Sequence, residues 1–177
     1  MHKVSVIIRA HDCANRLSAC IESVLAQTGV TSEIIVVDDG STDGAADIAA
    51  GFAPGLLYLK REKAGPAAAL NAGLRQATGE CLTFLDADAL FTPGALASQA
   101  ETLAEGPRAG WCVCANQLVS VDGEGKVSPA GVLPLFKDKY PTHLCHFNFM
   151  PVSRHAQTES GRKSGKFQHD VVRLRRS

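Results

Sequence analysis

The stretch that decides the fold is GECLTFLDADALFTPGAL, residues 79–96. Its first part, ECLTFL (80–85), has the length and apolar character of a buried strand. The run stops at Asp86, and Asp88 follows after a single alanine. Thr92 and Pro93 then signal a helix start, Thr92 as N-cap and Pro93 at the first helical position. A strand that buries itself has no use for two carboxylates at its tip. The pair implies something to be held beyond the end of a sheet.

Working outward, the same alternation repeats. KVSVII (3–8), EIIVV (33–37) and LLYLK (56–60) read as three earlier strands. Between them lie helical patterns. Residues from about Ala14 to Gln27 carry Leu17, Ile21, Val24 and Leu25 on one face, and Ile48 and Phe52 are four apart in a short helix. AGPAAALNAGLRQATG reads as a loop feeding a helix with Leu70, Leu74 and Ala77 inward, stopped by Gly79. Strand and helix in short alternation predict an α/β fold, a mostly parallel central sheet flanked by helices. Beyond Glu105 the alternation lapses. AGWCVCANQLVSVDGEGKVSPAGV predicts one or two strands joined by the turn DGEG, and residues 134–165 are irregular. Without a repeat or a linker, the 177 residues are expected to form one domain.

Composition narrows the function classes. Eighteen Lys and Arg balance eighteen Asp and Glu, so the chain as a whole has no pull toward nucleic acid. The basic exception is its end, from Arg162 to Arg176, which reads at least as well as a frayed, solvated terminus as it does as a site for phosphates or an acceptor. No segment reaches the ~20 apolar residues of a membrane helix, and the start makes a poor signal peptide. Six cysteines are scattered without a CxxC spacing, which predicts small buried hydrophobes in a reducing cytoplasm. His143 and His146 flank Cys145 in a stretch that reads as strand or loop rather than as a metal site.

Ligands of open α/β sheets bind beyond the carboxyl ends of the strands. Here His11 and Asp12 follow the first strand, Asp38 and Asp39 the second, Asp86 and Asp88 the fourth. Converging carboxylates repel unless a cation or hydrogen bonds offset them. Hard divalent cations take oxygen ligands and bridge carboxylates to substrate phosphates. Asp86 and Asp88 therefore read as a clamp for Mg²⁺ or Mn²⁺ bearing a diphosphate, against the alternative of a helix cap or solvated turn.

VVDDGSTDG, LNAGLRQATGE and FLDAD, in this order and spacing, resemble the nucleotide-binding half of family 2 glycosyltransferases, the large inverting group with the GT-A fold. SVLAQT (23–28) and EIIVVDDGSTD (33–43) belong to the same resemblance, which runs from Val4 to about Leu96. It implies a GT-A, nucleotide-diphospho-sugar transferase fold, with residues 1–105 binding the donor and 106–177 serving the acceptor. It implies a nucleotide-sugar donor, with UDP as the nucleotide, and a saccharide or lipid-linked acceptor. The acceptor is compatible with a peripheral membrane location. Carried over by position, Ala10 and His11 line the nucleotide pocket and Asp39 accepts the base N–H. Asp38 orients the turn, and Gly65 and Asn71 flank the nucleotide. Asp86 meets the ribose or reaches the metal through water, while Asp88 ligates the metal directly. The general base falls on Asp170, in GKFQHDVVRLRRS, with Asp138 and Glu159 as fallbacks. An N-terminal helix acid is the plainer alternative for Asp170.

Arg9 stands where the family has proline, and His11 and Asp12 where it has an aromatic and an asparagine. These departures, and the short stretch after Asp170, keep a weak or inactive nucleotide-sugar-binding remnant as an alternative. A haloacid-dehalogenase-type phosphatase also carries a DxD after a strand. That family wants a small hydroxyl residue where this chain has Leu90. A dinucleotide oxidoreductase is excluded, since no GxGxxG follows a strand.

Overall fold

The computed structural model describes residues 1–105, 116–121 and 127–133. The described chain runs β1 (His2–Ala10), α1 (Ala14–Leu25), β2 (Val30–Asp39), α2 (Ala45–Ala50), β3 (Leu56–Arg61), α3 (Pro66–Gln76), β4 (Cys81–Asp86), α4 (Ala95–Glu105), β5 (Asn116–Val121) and β6 (Val127–Leu133). The first four strands form one parallel sheet in the order β3-β2-β1-β4. β5 and β6 form a separate antiparallel pair. The turn between them lies outside the described residues.

Both faces of the sheet are covered, as a parallel sheet requires. Side chains alternate along each strand, so neighbours go to opposite faces. Val4, Val6, Ile8, Ile34, Val36 and Leu85 pack with α1, α2 and α4 on one side. Ile7, Ile35, Val37, Leu82 and Phe84 pack with α3 on the other. Each fully buried Ile, Leu or Val contributes about 1.5–3 kcal/mol over an exposed one. Continuous burial from Val4 to Ile8 and from Ile34 to Asp39 follows from the central positions of β1 and β2.

Three details differ from the sequence expectation. In α1 the buried stripe is Leu17, Cys20, Ile21 and Val24, and Leu25 is 54% exposed. A step of ~100° per residue carries Leu25 off the stripe that Val24 closes. In α3 the buried centre is Ala69 and Gly73, with Leu70, Leu74 and Ala77 flanking it, partly buried. A Cβ on Gly73 would lie 2.4 Å from Ile7 Cγ2, so α3 approaches the sheet too closely for a side chain there. Helix α4 starts at Ala95, not at Pro93. Thr92 and Pro93 form a turn closed by Ala95 N–H donating to Thr92 O at 3.2 Å, with Gly94 in the left-handed region at φ 77°. The side chain that caps α4 comes from the connection after α1, described below.

Cys20 is buried, and burial pushes its thiol up to about 12, so it behaves as a small hydrophobe. Cys13 and Cys81 are free and half-buried. Cys112, Cys114, Cys145, His143, His146, and the basic run Arg162–Arg176 lie outside the described residues. No helix among the described residues is long and apolar enough to cross a membrane.

Candidate active site

From β1 the chain crosses to β2 on one side, while β4 pairs with β1 on the other. The carboxyl ends of β1 and β4 therefore frame the topological switch point, where open α/β sheets bind ligands. A cleft of about 270 Å³ opens there, lined by Arg9, His11, Asp12, Arg16, Ala87 and Asp88 among others.

The Asp86–Ala87–Asp88 turn is built from the inside. Ala87 is 3% exposed, and its methyl packs into the α1-side core. Its N–H donates to Arg9 O at 3.0 Å, one step beyond the β1–β4 ladder. Ala89 N–H then donates to Asp86 O at 2.9 Å and closes the turn. A buried alanine between two aspartates leaves both carboxylates outside the core. Asp86 is the register partner of Arg9 in the parallel pairing. Arg9 holds Asp86 Oδ1 with Nε at 2.7 Å and Nη2 at 2.6 Å. Asp88 is 57% exposed, with Arg16 Nη1 at 3.9 Å.

The exit from this turn is anchored by two polar residues of the SVLAQT segment. Ser23 Oγ accepts the Phe91 N–H at 3.1 Å. Gln27 Nε2 donates to Thr92 O at 3.0 Å and to Ser23 O at 3.1 Å. Gln27 Oε1 accepts the Leu96 N–H at 3.1 Å, so it caps α4. Sequence reasoning missed these roles. The available signal was a polar residue extending the apolar stripe of α1 one turn past Val24.

The end of β2 is organised by its own two carboxylates. Asp38 is fully buried; its Oδ1 accepts Ser41 N–H at 2.7 Å and its Oδ2 accepts the Tyr58 hydroxyl. Burial pushes this carboxyl up, but the hydrogen bonds from Ser41 and Tyr58 outweigh it and hold it below its ordinary value. Asp39 accepts Ala64 N–H and Gly65 N–H, both at 2.9 Å, so it tethers the loop entering α3. Gly65 sits at φ 88° with open space where a Cβ would be. Asn71 lies half-buried on α3.

The loop after β1 crosses toward β2. Asp12 adopts φ 46°, its N–H donates to Ser41 Oγ at 3.0 Å, and its Oδ1 accepts Thr42 N–H at 2.9 Å. That backbone hydrogen bond is the main reason its carboxyl lies below its ordinary value. Asp43 accepts the Ala14 N–H at 2.7 Å at the start of α1. His11 Nε2 lies 2.8 Å from Lys63 Nζ, which joins the first loop to the α3 entry loop. Ala10 is fully buried and belongs to the α1-side core.

The structure thus gathers His11, Asp86 and Asp88 at the β1 and β4 ends, and Asp38, Asp39 and Gly65 at the β2 end. Asp170, Asp138 and Glu159 lie outside the described residues. No group of three or more His, Cys, Asp or Glu among the described residues forms a closed metal cage. The donor set fits a cation with open positions instead. Asp88 is exposed, and Asp86 Oδ2 makes no hydrogen bond to the described residues. Mg²⁺-type ions are held by one or two carboxylates plus substrate phosphates.

Comparison with known proteins agrees with this architecture. GlyA of Streptococcus pneumoniae, a glycosyltransferase, is 39% identical over 89 residues, which is 49% of this chain and 13% of that protein. The chain spans 13% to 31% of the length of the curated relatives it matches. The crystal structure of S. aureus TarS residues 1–349 in complex with UDP-GlcNAc shares 29% identity and a TM-score of 0.53, over 58% of this chain and 31% of that one. The mannosyltransferase PcManGT from Pyrobaculum calidifontis, in complex with GDP-Man and Mn²⁺, shares the fold at 24% identity and a TM-score of 0.68. It covers 95% of this chain and 48% of its own. The GT-A α/β expectation is met by the parallel sheet and these neighbours. The model for glycosyl transferase family 2 matches residues 5–157, and the chain belongs to that family.

Proposed function

We propose that this chain is a metal-dependent glycosyltransferase that moves a sugar, with inversion, from a UDP-linked donor to an acceptor hydroxyl. The observation that carries the reading is the Asp86–Ala87–Asp88 turn at the switch-point cleft, in a chain of family 2. The related TarS structure with bound UDP-GlcNAc supports the choice of nucleotide.

In this reading Asp39, Gly65 and Asn71 contact the nucleotide, with Asp38 holding the turn beneath it. His11 flanks the base, with Ala10 packed behind it. Asp86 meets the ribose, and Asp88 holds Mg²⁺ or Mn²⁺ at the diphosphate. When bound, the cation neutralises charge on the departing diphosphate. Asp170 takes the proton from the acceptor hydroxyl as its oxygen bonds to the anomeric carbon. The bond from that carbon to the diphosphate breaks on the opposite face, and its electron pair leaves with the nucleoside diphosphate. Residues 106–177 supply the acceptor side, for a saccharide or a lipid-linked acceptor.

The test is release of nucleoside diphosphate from a panel of UDP- and GDP-sugars, with Mn²⁺ and a mixed set of saccharide and lipid-linked acceptors. Asp170→Asn is expected to lower the rate by about 10²–10⁴-fold while leaving UDP binding intact. Turnover that survives Asp170→Asn unchanged removes that residue from the mechanism. UDP binding without turnover on any donor favours a binding remnant.

A further inference from the structure

Arg9 is the one cation that touches the DxD turn at hydrogen-bond distance among the described residues, and it does so with only part of its donor capacity. Nε and Nη2 both converge on Asp86 Oδ1. Nη1 makes no hydrogen bond to the described residues, although a guanidinium offers five N–H donors. The pair is not sealed in the core: Arg9 and Asp86 are each 28% exposed, and Arg9 lines the cleft. The register partnership across β1 and β4 fixes where the guanidinium stands.

The charges of the cleft give this placement a consequence. Asp12 and Asp88 line the cleft against Arg9 and Arg16, and Asp86 beside them is engaged by Arg9. A divalent cation at Asp88 would add positive charge for a diphosphate there. Asp86, by contrast, already has its countercharge within the chain. Resting on the nucleotide-sugar reading above, we propose that Arg9 is a diphosphate-contacting residue. It neutralises Asp86 through Nε and Nη2, and it offers its remaining N–H groups to a phosphate oxygen of the donor. Charge on the diphosphate is then shared between a cation held at Asp88 and a guanidinium held at Asp86. Guanidinium–phosphate hydrogen bonds are charge-assisted and stronger than neutral ones.

The contact predicts a contribution from phosphate that does not need metal. The experiment is calorimetric titration of uridine and UDP, in EDTA and in Mn²⁺, on wild type, Arg9→Gln and Arg9→Lys. A guanosine and GDP pair covers a change of base. In EDTA, wild type is expected to bind UDP more tightly than uridine by about tenfold, the scale of one charge-assisted hydrogen bond. Arg9→Gln should erase that gap and leave nucleoside binding within about twofold, with Arg9→Lys intermediate. Unchanged nucleoside affinity also shows that the variant is folded. Equal loss of UDP and uridine in Arg9→Gln, or no selective loss of UDP, overturns the contact and leaves the donor site standing. A wild type that binds none of the four ligands overturns both.

Discussion

Gln27 is polar where the stripe of α1 would otherwise continue apolar, and its amide ties three separate pieces of backbone together. It holds Ser23 O, Thr92 O and the first turn of α4 at Leu96 N–H, while 8% exposed. Replacing it with leucine leaves buried backbone groups without partners, which costs about 1–3 kcal/mol. Gln27→Leu is therefore expected to lower the melting temperature. It should also weaken the strengthening of UDP binding by Mn²⁺, because the turn carrying Asp88 loses its anchor. Unchanged melting and metal response would show that the bracket is dispensable. Asp88 itself predicts the opposite pattern. It is 57% exposed and makes one long ion-pair contact among the described residues, to Arg16, so Asp88→Ala should move stability by no more than ~0.5 kcal/mol. A clear loss of melting temperature in Asp88→Ala would mean that the residue holds structure instead of ligand.

At the level of elements, the amino end of the sheet is fastened by a cluster that no ligand reaches in this account. Glu33 on β2 accepts hydrogen bonds from Ser5 on β1, from Thr78 in the α3–β4 connection and from Lys3. Ser5 Oγ in turn accepts Gly79 N–H at 2.8 Å. A Cβ on Gly79 would lie 2.6 Å from Ser5 N, so the connection passes too close for any other residue. Burial raises the Glu33 carboxyl, but the hydrogen bonds from Ser5, Thr78 and Lys3 outweigh it and bring it to about 2. The folded value lies below the ordinary 4.5, so the stabilisation is present above pH 4.5 and is lost as pH falls toward 2. Its size, discounted for solvent screening of a partly exposed group, is on the order of 2 kcal/mol. Acid unfolding should shift to higher pH in Glu33→Gln, and the wild-type and variant stabilities should converge near pH 2. Parallel curves across that range would contradict the linkage. On the other face, Gly73→Ala forces a methyl against Ile7 and should destabilise by about 1–3 kcal/mol, read by denaturant melting.

Across the whole molecule, the two ends of one sheet divide the work. Glu33 and Ser5 lock the amino end, and the carboxyl end presents Asp39, Asp86 and Asp88 around the switch point. The sheet and its flanking helices were legible in the sequence because buried parallel strands are near-continuous apolar runs, as in VSVII and EIIVV. The acids were legible because a carboxylate that ends such a run stands out. What escaped were contacts that depend on register and close approach. Arg9 and Asp86 are 77 residues apart and meet only because β1 pairs with β4 in one register. The start of α4 escaped because its cap is Gln27, in the connection after α1, while Thr92 looked sufficient locally. Leu70, Leu74 and Ala77 pack inward as expected, but Gly73 between them escaped because glycine carries no hydrophobic signal although it marks the closest approach of α3 to the sheet.

The most direct measurement is calorimetric titration of UDP with and without Mn²⁺, on wild type and on Asp88→Ala. Mn²⁺ is expected to tighten UDP binding to wild type, and Asp88→Ala to abolish the tightening. UDP binding indifferent to both Mn²⁺ and Asp88 would contradict that expectation, as would a wild type that binds no nucleoside diphosphate.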